Sequence, residues 1–125
     1  MLKQTLVAGA MLAALASPAL AEGDAAKGEK VFNKCKACHA VGETAKNKVG
    51  PVLNGIVGAQ AGQNPDFKYS EALLAKASEG LIWDEQSLEA FLRDPKELIP
   101  GSKMSFAGLR KDDEIANLIA YLATK

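Results

Sequence analysis

Both cysteines of the chain, Cys35 and Cys38, stand with two residues between them, and the only histidine, His39, follows directly. Two thiols and one imidazole within the five residues "CKACH" could hold a metal ion, run a disulfide exchange or anchor a cofactor. A structural disulfide is a poor use of the pair. Its loop would hold only two intervening residues, so it would constrain little of the unfolded chain.

Zinc fits no better, because a structural site takes four ligands from separated pairs. The chain has no third cysteine and no second histidine, and adjacent Cys38 and His39 do not turn easily onto one ion. A thioredoxin-like dithiol is expected near a βαβ pattern and at a helix N-terminus. Here the pair falls at the end of a predicted helix, with no strand pattern nearby. Covalent haem remains, since Cys-x-x-Cys-His is an attachment signature of c-type haem. Thiols three positions apart on one turn can add to the two vinyl groups of one porphyrin edge. The next residue then carries its imidazole beneath the ring to the iron.

A second axial ligand follows by elimination. Of the three methionines, Met1 is the initiator and Met11 lies in an apolar leader, which leaves Met104. It sits in the loop "PGSKMSF" and not on a helical apolar stripe, so gap-filling in a core is the weaker explanation. A thioether opposite an imidazole favours ferrous iron and raises the potential.

The elements that must position these groups are helical. The first predicted helix, "DAAKGEKVFNKC", has Asp24 as N-cap and Ala25, Gly28, Val31 and Phe32 at helical spacing. Glycines and prolines between Val41 and Lys68 exclude a long helix there. Ser70 caps a second helix, "EALLAKAS", closed by Gly80. A third opens at Asp84, places Leu88, Phe91 and Leu92 on one face, and stops at Pro95. After the loop "LIPGSKMSFAGL", the last helix, "DDEIANLIAYLATK", aligns Ile115, Leu118, Ile119 and Leu122 and carries acids at its N-terminal end. The expected class is all-α, about four helices with long loops. Nearly thirty irregular residues would be anomalous in a compact domain unless they wrap something, and a buried cofactor supplies that.

The 125 residues are enough for one domain. Residues 1–21 read as a cleaved secretory signal: Lys3, the apolar run "TLVAGAMLAALA", then Ala19-Leu20-Ala21. The run is too short to span a bilayer, so stable membrane insertion is not expected. The domain is residues 22–125, exported to the periplasm. Without Lys3, the 15 basic residues become one fewer than the 15 acidic ones, a formal charge of −1. That balance argues against nucleic-acid binding. Lysines crowd the first third of the chain, and acids dominate from Asp84 to Glu97.

The ordered series "GEKVFNKCKACHAVG", "KVGPVLNGIVG", "FKYSEAL", "IWDEQSLEAFLRDPKELIPGSKMSFAGL" and "LIAYL" resembles class I cytochrome c over essentially all of residues 22–125. A slightly long segment between Tyr69 and Trp83 is more similar to periplasmic bacterial forms than to the mitochondrial one. The resemblance implies a monomeric one-electron carrier, not an enzyme, with one haem c on Cys35 and Cys38 and iron between His39 and Met104. It implies that Gly28 lets the first and last helices cross while Phe32 meets Leu118 and Tyr121. Pro51 would accept a hydrogen bond from His39; Tyr69 and Trp83 would face one haem propionate and Ser102 the other. Ala59, Leu73 and Phe91 depart from the family, standing where arginine, asparagine and tyrosine are usual. Lys34, Lys36, Lys46, Lys48, Lys103 and Lys111 would ring the haem edge and meet acidic sites on larger redox complexes, respiratory or photosynthetic. The rival expectation is a five-coordinate haem enzyme or gas sensor in which Met104 is off the iron.

Overall fold

The computed structural model describes residues 23–125; the signal expected over 1–21 lies outside them. Five helices follow in order: α1 (Ala25–Phe32), α2 (Glu71–Ser78), α3 (Glu85–Arg93), α4 (Pro95–Leu98) and α5 (Asp112–Leu122). The all-α expectation is met, with one more helix than the sequence pattern suggested. The caps work as read. Asp24 accepts from the Lys27 N–H, Ser70 from Leu73 and Asp84 from Ser87.

Two boundaries differ from expectation. Helix α1 ends at Phe32, so Cys35 lies on the turns that follow it and not inside the helix. Pro95 ends α3 and also begins α4, because proline's fixed φ and missing N–H suit a first helical position. Asp94 serves both helices: its extended backbone closes α3, and its carboxylate caps α4 at Glu97.

The core forms where α1 crosses α5. Gly28 is buried there, and a Cβ on it would overlap the Asn117 carbonyl and lie 2.7 Å from Cβ of Tyr121. Absence of a side chain is therefore what sets the closeness of the crossing. Phe32 lies 5.5 Å from the Tyr121 ring, and Ile115, Leu118, Ile119 and Leu122 are all buried from α5. Leu88 and Leu92 of α3 join this core; Phe91 on the same face is only half-buried.

Among the described residues there is no strand, but two backbone pairings organise the loops. Residues 58–61 run antiparallel to 81–83: Gly58 N–H donates to the Trp83 carbonyl at 2.7 Å, and Trp83 N–H donates to Ala59 at 2.7 Å. Residues 38–42 lie along 50–54, with Gly50 N–H on the Cys38 carbonyl at 2.8 Å and Leu53 N–H on Ala40 at 3.1 Å. Asn54 extends that pairing. Its carboxamide accepts from Gly42 N–H and donates to the Gly42 carbonyl, both at 2.8 Å.

Candidate functional site

Beyond α1, the chain makes one further turn that carries "CKACH". The N–H groups of Cys38 and His39 both donate to the Cys35 carbonyl, at 3.1 and 2.9 Å. The turn places the two thiols and the imidazole at the wall of a cavity of about 850 Å³, toward the upper end of the ~300–1,000 Å³ usual for cofactor sites. Met104, 65 residues after His39 in sequence, lines the same cavity from the loop between α4 and α5. All four residues picked out from the sequence are thus brought to one space.

His39 is held by a single directed bond. Its Nδ1 is 2.8 Å from the carbonyl oxygen of Pro51. A carbonyl only accepts, so Nδ1 carries the proton and Nε2 keeps a free lone pair. Burial pushes the imidazole below its ordinary pKa, and the Pro51 bond opposes that only in part. The neutral, ligating form is favoured. Against the ring lies Gly50, buried and without room for a Cβ, which would sit 2.7 Å from Nδ1.

Burial pushes the Cys35 thiol up; Lys34 pulls the other way and Cys38 adds to the rise. A dithiol exchanger needs a lowered thiol, and Cys35 is shifted the opposite way. Among the described residues no cluster of three or more His, Cys, Asp or Glu could hold a metal ion.

Tyr69, Trp83 and Ser102 line the cavity. The Tyr69 hydroxyl oxygen accepts from Asn64 N–H at 2.9 Å, which leaves its proton to be donated elsewhere. The three departures, Ala59, Leu73 and Phe91, also line it, and Phe91 packs on Trp83 with ring centres 5.0 Å apart. Each puts carbon where the family resemblance has a polar group.

The lysines are only partly brought together. Lys34 and Lys103 reach the cavity lining, as does Lys68, which sequence reasoning missed. Lys34 is already paired with Glu114 of α5 at 2.9 Å. Lys36, Lys46, Lys48 and Lys111 are exposed but off the lining, and Lys48 Nζ donates to the Lys36 carbonyl at 3.2 Å. Sequence reasoning also missed Gly50 and the amides Asn47 and Asn64, although "NPD" at 64–66 is a recognisable side-chain-capped turn.

The family model described as Cytochrome c matches residues 25–125. The chain belongs to the cytochrome c family. It is 58% identical over 101 residues to a cytochrome c2 of Agrobacterium tumefaciens (strain II Chrys), covering 81% of this chain and 91% of that one. It is 50% identical over 107 residues to a cytochrome c2 of Rhodomicrobium vannielii, covering 86% and 83%. Among solved structures, cytochrome cH from Methylobacterium extorquens matches with a TM-score of 0.74 at 47% identity, covering 82% of this chain and 100% of that one. Cytochrome c2 from Rhodospirillum centenum matches at 0.78 and 40%, covering 82% and 98%.

This cytochrome c is an electron-transport protein that carries one haem c, attached through Cys35 and Cys38. The residues present fit that group. Two thiols on one turn, an imidazole with Nε2 free and a thioether share one large, mostly apolar cavity, and the missing side chain of Gly50 leaves the imidazole its place.

Proposed function

We propose that this cytochrome c is a diffusing one-electron carrier of the periplasm, with Nε2 of His39 and the sulfur of Met104 as the two protein ligands of the haem iron. When bound, the haem supplies a reversible ferrous–ferric couple. Every other task falls to the chain. Pro51 fixes the tautomer and plane of His39 and raises its basicity as a ligand. The loop of residues 99–111 carries Met104, whose N–H is held by the Ser102 hydroxyl at 3.3 Å. Leu53, Leu73, Phe91 and Phe106 exclude water and so limit rearrangement between the two charge states.

With His39 and Met104 both holding the haem iron, the chain would act as a carrier and not as an enzyme. Residues 1–21 serve as the export signal, and the functional chain begins near Glu22. Lys36, Lys46, Lys48, Lys103 and Lys111, with Lys34 and Lys68, steer the cavity mouth toward acidic surfaces on larger respiratory or photosynthetic complexes or periplasmic oxidoreductases. Such encounters are brief and salt-sensitive.

The observation that carries this reading is that His39, with Nε2 free, and the one methionine of residues 23–125 line one cavity. The test is Met104→Ala. Ferric protein should lose the weak red-end absorption band of sulfur-bound iron. A five-coordinate haem enzyme or gas sensor would show no such band to lose.

A further inference from the structure

Asn47 has one acceptor atom with two partners. Its Oδ1 receives Val52 N–H at 2.9 Å and the Asn64 carboxamide, through Nδ2, at 2.9 Å. The orientation of both amides is settled by backbone donors, because Asn64 Oδ1 accepts from Asp66 N–H at 3.0 Å and so leaves Nδ2 to face Asn47. From Asn64 the chain of bonds continues. Its own N–H donates to the Tyr69 hydroxyl at 2.9 Å, and Tyr69 is fixed edge-on to Phe67 with ring centres 5.0 Å apart.

At the other end, Val52 directly follows Pro51, whose carbonyl holds the His39 ring. One half-buried side chain therefore joins the segment that sets the imidazole to the loop that aims the tyrosine hydroxyl. Residues 41–69 contain no helix; residues 50 and 53 are tied to Cys38 and Ala40 of the neighbouring segment, and the Asn47 side chain adds the link from this pairing to the loop of Asn64.

We propose that Asn47 is a positioning residue that couples the two ends of the haem cavity, holding His39 through residues 51–52 and Tyr69 through Asn64. The inference goes beyond axial ligation, resting on the proposed function only in that His39 and Tyr69 face a bound haem. Only the oxygen of Asn47 is engaged. An aspartate would keep both bonds and a leucine of similar shape would keep neither.

The experiment uses the full-length haem-loaded protein and proton NMR, following solvent exchange of the His39 Nδ1 proton, the Asn64 amide and the Tyr69 hydroxyl. In Asn47→Leu, exchange should rise at both ends by roughly five- to tenfold, the effect of losing a hydrogen bond that closes a local opening. In Asn47→Asp, exchange should stay within about twofold of the parent at both ends, since a carboxylate oxygen still accepts from both partners. A merely structural residue would not be rescued by the charged substitution. Acceleration at one end or neither in Asn47→Leu, or equal acceleration in Asn47→Asp, overturns the coupling. If Asn47→Leu does not fold, Asn47→Ala stands in, removing the same oxygen without added bulk. It should speed exchange at both ends, and acceleration at one end or neither overturns the proposal. The red-end band read on the same samples separates this outcome from a failure of the Met104 assignment, because it should persist in every variant.

Discussion

Gly50 lies against His39 so closely that a Cβ on Gly50 would be 2.7 Å from Nδ1 and 2.8 Å from Nε2 of the imidazole. Its φ is not among the positive ones, so the glycine is required for space and not for backbone conformation. Gly50→Ala should therefore push the ring off the Pro51 carbonyl. Overpacking of this kind costs about 1–3 kcal/mol. Urea denaturation should show a lower midpoint at an unchanged slope, together with a shifted His39 Nδ1 proton resonance.

Gly28→Ala sets two effects against each other. Alanine in a helix interior is favoured over glycine by about 1 kcal/mol. Here the added methyl would overlap the Asn117 carbonyl across the α1–α5 crossing. Backbone cannot yield as a side chain tip can, so the clash should win. Net destabilisation should be at least about 1 kcal/mol, measured by thermal or urea unfolding. A gain in stability would mean that the two helices separate more easily than their packing indicates.

Much of this was legible from local spacing. "CKACH" announces its chemistry because all its groups lie on one turn, and counting methionines leads to Met104, which lines the same cavity. The stripe on α5 reads correctly because the helical period alone determines it. What failed depended on distant partners or on a residue with two uses. Pro95 reads as a stop, yet it also starts α4, since Asp94 caps in the forward direction. Lys34 reads as a free cation because Glu114 lies 80 residues away. The Asn47–Asn64 link joins two irregular loops, and no periodicity marks such a contact.

The Lys34–Glu114 pair should be weak for stability and informative for docking. With the lysine side chain 55% exposed, a double-mutant cycle should give about 0.2–1 kcal/mol, less at high salt. Every Lys→Glu reversal changes the charge by the same amount, so position should decide: Lys34→Glu and Lys103→Glu, at the cavity lining, should slow electron transfer to an acidic partner more than Lys36→Glu, which lies off it. Rates measured over a series of ionic strengths check the order. A flat salt response for the unmodified protein would remove the steering role altogether.

Acid stability should depend on Asp84. The Ser87 N–H, followed by the Ser87 side chain, holds its carboxyl below the usual aspartate value. A group whose pKa is lower folded than unfolded stabilises the fold above its unfolded pKa and loses that contribution as pH falls through the folded one. Unfolding followed from neutral pH into the acid range should therefore show part of its pH dependence vanish in Asp84→Asn. Asparagine caps α3 comparably but does not titrate, so neutral-pH stability should change little. Asp84→Ala should lower stability at neutral pH as well.

The most direct test of the account is the response of the ferrous, haem-loaded protein to carbon monoxide at neutral pH, followed by absorption. If His39 and Met104 hold both axial positions, the unmodified spectrum stays as it was, while Met104→Ala forms the adduct readily. Ready formation of the adduct by the unmodified protein would contradict the assignment, and with it the reading of this cytochrome c as a closed one-electron carrier.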